Sequence, residues 1–423
     1  MKEKRYICID LKSFFASVEC VDRGLDPFEA NLVVADLTRT DKTVCLAVTP
    51  AMKEQGVRNR CRVFEIPKSI PYMIAPPRMK RYEEVSAQVY GVYLRYIAPE
   101  DIHVYSIDEC FLDVTDYLKL YKKTDREMAR FLMDEVYRKT GICATAGIGT
   151  NLFLAKVALD VTAKHASDRL GYLDKAEFER AIWHHRPITD IWNIGKGIAA
   201  RLEKYGIYDL YGVAHYPEDV LYREFGVNAE LLIDHARGEE PCTIGDIHRY
   251  RPESRSLSNG QVFGVGYTYE HALTVVKEMA DRLVLELVER GLVTDSISLF
   301  VGYGKETGHT GGTRKLPWYT DSYRKLCEAF VRFYEATTRR DRPIRRLNVG
   351  LNDVVSADYA TFDLFTDWEK EEKEHTLQKT VLELKRKFGK NAVLRGMNFE
   401  EGATARERNR LIGGHRSGED DEG

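Results

Sequence analysis

The fold of this 423-residue chain is decided by the stretch Val104-Tyr105-Ser106-Ile107-Asp108-Glu109-Cys110-Phe111-Leu112-Asp113-Val114, an apolar run with two adjacent carboxylates at its centre. The β-branched and aromatic residues on both sides favour paired strands, and a hairpin is the simplest way to turn such a run around an acidic tip. Two neighbouring carboxylates are costly to bury without a cation. The predicted tip therefore either faces water or binds metal.

Composition limits the class of protein. A chain of this length suggests about two to four domains. The formal charge of −3 argues against a uniformly basic nucleic-acid binder, so any such surface must be local. The eight cysteines are scattered without metal-site spacing and are typical of reduced core residues in a cytoplasmic protein. No apolar run of about 18 residues is present, so we expect a soluble protein without membrane partners.

A third carboxylate follows an earlier strand pattern. The segment Tyr6-Ile7-Cys8-Ile9-Asp10 is a short buried-strand pattern that ends on an acid, and a helix should begin near Lys12 or Ser13. Asp10 is then either a functional group at a strand end or the N-cap of this helix. The aromatic pair Phe14 and Phe15 follows; one ring suits the helix core, and the second is expected to line a pocket.

The segments around the hairpin predict a βαββαβ order, in which helices cover one side of a sheet. They are a small cationic segment at 25–81, which suits a triphosphate, helices at 82–96 and 123–139, and a strand at 143–149. A helix at 150–164 follows, with Thr150 as its cap. Its Lys156 and Lys164 lie about two turns apart and can grip phosphates from one face.

This order places the first strand beside the hairpin. Asp10 then converges with Asp108 and Glu109, and three hard oxygen ligands suit Mg²⁺. Two ions at such a site can activate a 3′-hydroxyl and support the departure of pyrophosphate. The sequence therefore predicts metal-dependent phosphoryl transfer.

Residues 170–240 are predicted to be helical. Within them Ile191–Ala199 is expected to form two helices joined by a glycine turn, where Gly195 and Gly197 let backbone amides approach a phosphate near Lys196. The alternative is an ordinary helix connection. The polar stretch 241–254 is predicted to be a linker.

Residues 255–356 repeat the βαββαβ order. Between Arg314 and Arg346 ten basic residues stand against four acidic ones, which makes this part of the chain locally basic. Because no base-reading motif is present, we expect sequence-independent contact with the nucleic-acid backbone. The candidate DNA-binding residues are Arg339, Arg340, Arg345 and Arg346.

The quoted motifs resemble those of the Y-family, or translesion, DNA polymerases. The resemblance rests on Asp10–Glu19, on Ser106–Glu109 and on Gly147–Lys156, and the later segments are similar to the UmuC type of Gram-positive bacteria and their mobile elements. It implies an α+β multidomain right hand with a βαββαβ palm and little finger and a helical thumb that carries a helix-hairpin-helix. The implied domains are palm (1–24 and 82–169), fingers (25–81), thumb (170–240), linker (241–254), little finger (255–356) and tail (357–423).

The resemblance also implies roles for individual residues. Two Mg²⁺ ions would be held by the catalytic carboxylates Asp10, Asp108 and Glu109 and by the Leu11 carbonyl. The nucleotide-binding candidates are Phe14, Phe15, Lys53 and Lys164, and Phe15 matches the bulky residue that blocks the 2′-hydroxyl of a ribonucleotide. Three positions depart from the family pattern. Pro50 and Lys53 stand where many members have tyrosine and arginine, so bidentate geometry is lost, and Phe15 replaces the commoner tyrosine.

The tail opens with Thr361-Phe362-Asp363-Leu364-Phe365, which looks like a sliding-clamp peptide without its usual leading glutamine. An extended segment here could enter an apolar groove of a clamp. Alternatively, Leu364 and Phe365 cap the core of the preceding domain. The Lys and Glu spacing beyond is typical of a solvated helix face, and the acidic end, 419–422, is predicted to be disordered.

Taken with the resemblance, these features predict a template-directed DNA polymerase that adds deoxynucleotides to a primer. We expect error-prone bypass of damaged templates in the SOS response. The expected partners are primer–template DNA, deoxynucleoside triphosphates, the sliding clamp and UmuD-like or recombinase proteins. The alternatives are a cyclase-like nucleotidyl transferase and a DNA-binding paralogue without catalytic activity.

Overall fold

The computed structural model describes residues 3–39, 42–252, 256–304, 308–361 and 367–418. These residues form two compact units, one of residues up to 250 together with 417–418, and one of residues 251–416. Within the described part of the chain, no helix is both long and apolar enough to cross a membrane.

The first unit begins with the sheet and the elements around it. In chain order these are β1 (Tyr6–Leu11), α1 (Phe14–Val21), β2 (Leu32–Val34), β3 (Ala47–Val48), α2 (Pro50–Glu54), β4 (Met73–Ala75), α3 (Met79–Tyr93), β5 (Ile102–Val104), β6 (Glu109–Asp113), α4 (Tyr117–Tyr121), α5 (Asp125–Thr140), β7 (Ala144–Gly149), α6 (Leu152–Val157) and β8 (Leu170–Leu173). Helices α7 (Lys175–Ala181), α8 (Lys196–Glu203), α9 (Leu210–His215), α10 (Glu218–Phe225), α11 (Asn228–Ala236) and α12 (Ile244–Arg249) follow.

The main sheet of this unit has the order β5-β6-β1-β7-β8, in which β6, β1 and β7 pair antiparallel. The predicted hairpin is confirmed, because β5 and β6 pair with Val104 opposite Cys110. The predicted βαββαβ order is present as well. The expectation that residues 170–240 are helical is wrong at its start, since β8 adds a parallel strand beside β7 before the helices begin.

Capping chemistry sets the ends of α5. Thr124 accepts a hydrogen bond from the Glu127 backbone N–H and Glu127 reaches back to Thr124, which forms a capping box. Gly141 ends the helix in the left-handed conformation that glycine adopts without strain. The buried face of α5, which includes Leu132 and Val136, packs into the core beneath the sheet.

Helix α6 differs from the prediction in two ways. Its N-cap is Asn151, whose side chain accepts from the Leu154 N–H, and not Thr150. The regular helix ends at Val157 and continues as a π turn at Ala158–Thr162. The chain packs tightly here, because a Cβ at Gly147 would lie 2.1 Å from the backbone nitrogen of Leu159. Glycine in β7 therefore allows this helix to lie directly on the sheet.

The segment predicted as fingers has its own small sheet, with the order β3-β2-β4. A separate group of buried side chains, which includes Val33, Val48 and Met52, packs around it. Helix α2 begins with Pro50 at its first turn, where the missing N–H costs nothing. This segment therefore has its own core and positions Lys53 on a short helix.

The stretch 241–254 was predicted to be a linker, and this is wrong for its first part. Thr243 and Asp246 form a capping box that starts α12. Ile244 is buried against Tyr6, Phe111 and other side chains of the sheet and α6. The polar residues of α12 therefore lie on the exposed side of a helix that packs on the sheet through Ile244.

The second unit repeats the strand and helix order of the first. Its elements are β9 (Leu257–Tyr267), α13 (Tyr269–Arg290), β10 (Leu292–Gly304), β11 (Gly308–Thr320), α14 (Tyr323–Thr337), β12 (Ile344–Asn352), β13 (Val355–Ser356), α15 (Trp368–Phe388), α16 (Ala405–Arg408), β14 (Leu411–Ile412) and β15 (His415–Arg416). The sheet has the order β11-β10-β12-β9 and its pairs are antiparallel. Ile297, Leu299 and Val301 alternate along β10 and are buried in the core.

Much of the tail is folded onto the second unit. The buried carboxylate of Glu278 on α13 accepts hydrogen bonds from the Asn398 amide, from the Thr404 backbone and hydroxyl groups and from the Ala405 N–H. A buried carboxylate needs several donors to be stable. These contacts attach the segment that follows α15 to α13.

Candidate active site

The candidate site is built on the pairing of β1 with β6. Asp10 lies directly opposite Glu109 in the antiparallel register, and the Leu11 N–H donates to the Asp108 carbonyl at 2.9 Å. Opposite residues of an antiparallel pair project from the same face of the sheet. Ser13, and not Asp10, is the N-cap of α1. The register therefore leaves Asp10 beside the two carboxylates of the hairpin tip.

The electrostatics of Asp10 reflect this crowding. Burial, and then the negative charges of Asp108 and Glu109, raise the pKa of Asp10 to about 7, while Lys156 and Lys164 oppose the shift. Asp108 sits in the turn, where its carboxylate accepts from the Ser106 hydroxyl at 2.7 Å. Burial and the two neighbouring carboxylates thus disfavour the ionised form of Asp10 when no cation is bound.

Lys156 has a different role from the predicted phosphate contact. Its side chain is buried, with the ammonium 2.7 Å from Glu109 and 3.0 Å from Asp160. Burial opposes its charge, but these two carboxylates raise the pKa of Lys156 above its ordinary value. The Cys8 thiol also donates to Glu109 at 3.1 Å. Sequence spacing placed Lys156 and Lys164 on one face but could not show that Lys156 pairs with Glu109.

The donor set fits divalent metal ions. Among the described residues no three carboxylate, imidazole or thiol side chains converge on one point, and Glu109 is turned towards Lys156. Because the strand register already sets Glu109 opposite Asp10, a side-chain rotation would bring the two carboxylates together. Hard oxygen donors suit Mg²⁺, so Asp10, Asp108, Glu109 and the Leu11 carbonyl could hold it.

The two aromatic side chains after Asp10 lie in different surroundings. Phe14 is buried in the core, so its side chain does not line the site. Phe15 is half-buried and stacks on Tyr82 with ring centroids 4.5 Å apart. The Tyr82 hydroxyl donates to the buried carboxylate of Glu19 at 2.7 Å. The sequence did not identify Tyr82 as a residue of the site and indicated it only as the start of a helix. That helix, α3, begins three residues earlier, at Met79.

The predicted phosphate-binding lysines lie on the same side as the carboxylates. The Lys53 ammonium donates to the Ser13 hydroxyl at 2.8 Å. Desolvation lowers the pKa of Lys53, which also senses Asp10, Lys12 and Lys164. Lys164 is exposed and 3.4 Å from Asp160. Lys53 and Lys164 are therefore available to a polyanion beside Asp10.

Of the two helices predicted within Ile191–Ala199, only the second forms as an α-helix. A 3₁₀ turn at Ile188–Asp190 precedes α8, whose N-cap is Gly195. Nothing lies within 4 Å of the position that a Cβ would take at Gly195 or Gly197. The backbone amides at this helix start, next to Lys196, are therefore open to a phosphate.

The four candidate arginines of the second unit are exposed and, within the described residues, none forms an ion pair with a carboxylate. Arg340 and Arg346 instead lie over the rings of Tyr269 and Phe300. Other basic residues of the region are paired; Lys325, for example, is 2.8 Å from Glu371. The four arginines therefore carry positive charge that no described carboxylate neutralises by direct contact.

The predicted clamp peptide lies almost entirely outside the described residues. Of its five residues only Thr361 is described, and its hydroxyl accepts from the Tyr319 N–H at 2.7 Å. Leu364 and Phe365, on which the prediction depends, belong to the part that is not described.

Comparison with known families gives two matches. Residues 9–160 match the impB/mucB/samB family. Residues 254–364 match the C-terminal domain of the same family. The first match contains the hairpin and the end of β1 with Asp10, and the second contains the sheet of the second unit.

Similar proteins of known sequence cover almost the whole chain. The putative UV-damage repair protein UvrX of Bacillus subtilis is 31% identical over 98% of both chains. A DNA polymerase IV 2 of the same organism is 31% identical over 98% of this chain and 99% of its own. Among solved structures, a Y-family DNA polymerase chimera of Dbh and Dpo4 has a TM-score of 0.64 at 20% identity, over 83% of this chain and 99% of its own. This likeness confirms the predicted multidomain α+β fold.

Proposed function

Because the chain belongs to the impB/mucB/samB family of Y-family translesion DNA polymerases, we propose that its polymerase centre is the carboxylate group formed by Asp10, Asp108 and Glu109. The observation that carries this proposal is the register that sets Asp10 opposite Glu109 at the hairpin tip. The raised pKa of Asp10 supports it, since a cation beside a carboxylate that is buried and crowded by like charges would favour its ionised form.

Two Mg²⁺ ions bound there would promote attack of the primer 3′-hydroxyl on the α-phosphate and support the departing pyrophosphate. The protein's part is to position these groups. Lys53 and Lys164 would bind the triphosphate oxygens. The ion pair with Lys156 would neutralise Glu109 in the absence of metal, and Glu109 would turn from Lys156 towards Asp10 when metal binds.

In the same proposal Phe15 lies beside the sugar of the incoming nucleotide, and its stacking on Tyr82 holds the ring in place. The open helix start at Gly195 and Gly197 and the four unpaired arginines of the second unit would contact DNA phosphates. Eight free cysteines suit a reducing compartment, which supports a cytoplasmic location.

Templated primer extension tests the proposed centre. With Mg²⁺ and all four deoxynucleotides, the protein should extend a primer opposite undamaged templates and opposite an abasic site. A cyclase-like nucleotidyl transferase would instead form product from nucleotide alone. Absence of templated extension, together with normal DNA binding, would favour the non-catalytic paralogue.

The four arginines should contribute most of the ionic DNA affinity of the second unit. Replacing Arg339, Arg340, Arg345 and Arg346 by glutamine should weaken binding to all DNA sequences alike and flatten its salt dependence. The slope should fall by about 0.9 for each phosphate that the variant no longer neutralises. Fluorescence anisotropy between low and moderate salt measures this slope.

The matched control for the arginine variant replaces Lys315 and Lys325, whose ammonium groups are 2.9 Å from Asp295 and 2.8 Å from Glu371. These changes should alter the slope little. Equal slopes for the two variants would mean that the arginines are only solvated surface.

We also propose that the segment containing Leu364 and Phe365 binds the sliding clamp. Replacing both by alanine should leave distributive synthesis intact and remove its stimulation by added clamp. Docking on the clamp raises the effective concentration of the polymerase at the primer and does not change the catalytic step. Thr361→Ala is the control, since Thr361 contacts the second unit. If the double variant melts at a lower temperature and loses basal synthesis, the two residues belong to the core and the docking proposal fails.

A further inference from the structure

Helix α15 carries an apolar stripe that the proposed polymerase function does not use. Its members are Leu377, Val381, Leu384 and Phe388, spaced by four, three and four residues. This is the a/d spacing of a coiled-coil seam. Leu377 is 60% exposed, Leu384 37% and Phe388 63%. Val381 is half-buried. Three exposed apolar side chains in one seam still differ from the single exposed residues that protein surfaces normally carry.

The stripe is not the face by which α15 is attached to its own unit. Polar side chains make much of that attachment: Glu374 accepts from the Ser322 hydroxyl and from the Arg324 N–H, and Arg386 pairs with Glu289. The half-buried Leu382 lies outside the stripe. In an ordinary surface helix the apolar stripe faces the core. Here polar side chains reach the rest of the unit, and most of the apolar stripe remains exposed.

The charges that flank the stripe leave a basic side. Lys373 and Lys387 lie on one side of the seam; Lys387 lies over the ring of Phe388. Lys373 is 81% exposed and lies 3.7 Å from Glu369, which is also exposed. An ion pair of this kind on the surface of one helix is weak. On the other side of the seam, the Glu371 carboxylate forms an ion pair with Lys325. The exposed ammonium groups therefore dominate the flank of the seam.

We propose that the stripe Leu377-Val381-Leu384-Phe388 docks an amphipathic helix of a partner protein whose flanking positions are acidic. Flanking charges of a helix pair set the choice of partner. Lys373 and Lys387 occupy g positions, which face each other when two helices pair antiparallel. A second copy of α15 aligned antiparallel would therefore set Lys373 near Lys387 of the copy, so charge argues against that pairing. The stripe spans about three turns, roughly 16 Å, and contacts of this size are transient.

A pair of synthetic peptides tests the proposal on the full chain. Each has three heptads with leucine at a and d; one has glutamate at e and g, and the other has lysine there. Fluorescence anisotropy should show that the acidic peptide binds at least about tenfold more tightly than the basic one. Leu377→Asp with Phe388→Asp should weaken that binding by a similar factor. Tyr359→Asp, which changes another exposed aromatic of the same unit, should not.

A charge-reversal variant is the decisive test of the proposed partner. Lys373→Glu with Lys387→Glu should invert the preference between the two peptides. Binding that ignores the stripe variants, or no binding by either peptide, overturns the proposal. So does concentration-dependent dimerisation in sedimentation that Leu377→Asp abolishes, because the occupant would then be a second copy. Circular dichroism and unchanged primer extension, which involves none of these residues, show that the variants are folded.

Discussion

Replacing Asp10, Asp108 or Glu109 by alanine is expected to abolish primer extension while primer–template binding stays nearly unchanged. The loss should exceed the roughly 10–100-fold cost of removing a mere outer-shell partner of a metal ligand, because each change removes a proposed ligand outright. Carboxylates contribute little to DNA affinity, which depends on phosphate contacts. Single-turnover extension and anisotropy measure the two effects. Glu83→Ala, at an exposed position on α3, is the control.

The same residues give a readout that does not depend on activity. Burial and neighbouring carboxylates raise the pKa of Asp10 to about 7, so its ionised form is disfavoured in the folded protein. Between about pH 4 and pH 7 this residue therefore lowers the stability as pH rises. At pH 8 without metal, Asp10→Asn should melt higher than the wild type, by about 2–4 °C for each kcal/mol relieved.

Mg²⁺ should reverse that order. An ion that binds only the folded state stabilises it, so Mg²⁺ should raise the melting temperature of the wild type and leave that of Asp10→Asn almost unchanged. Thermal unfolding with and without Mg²⁺ measures both. Near-normal extension by any of the three alanine variants, or equal Mg²⁺ stabilisation of Asp10→Asn, would contradict the assignment of these residues.

Phe15→Ala is expected to admit ribonucleotides. The proposed clash with the 2′-hydroxyl depends on the bulk of the ring, and its removal should reduce sugar discrimination at least about tenfold, within the range that pocket-filling groups supply. The ratio of kcat/KM for deoxy- and ribonucleotides measures it. Unchanged discrimination would place the gate at another residue.

Variants of Tyr82 show whether its ring or its hydrogen bond to Glu19 keeps Phe15 in place. Tyr82→Phe keeps the ring on which Phe15 stacks and removes only the hydrogen bond to Glu19. It should retain most of the discrimination. Tyr82→Ala removes the supporting ring and should loosen the gate in the same direction as Phe15→Ala, although Phe15 itself is intact.

The fold followed from local patterns. The apolar flanks of Asp108 and Glu109 predicted a hairpin, and the order of elements around it predicted the sheet, because strand and helix periodicity and turn chemistry act over a few residues. The same reasoning identified Asp10 at a strand end. Local patterns did not predict the strand β8 or the docked helix α12, because both depend on contacts with distant parts of the chain.

The amino-acid sequence by itself determined the fold class, the three carboxylates and the basic character of the second unit, since each is expressed in neighbouring residues. Only the tertiary structure decided that Lys156 pairs with Glu109, that Phe14 is core while Phe15 stacks on Tyr82, and that α15 leaves its apolar stripe exposed. The physical reason is that burial and ion pairing depend on which groups meet after the chain has folded, and spacing along one element does not specify its partner on another.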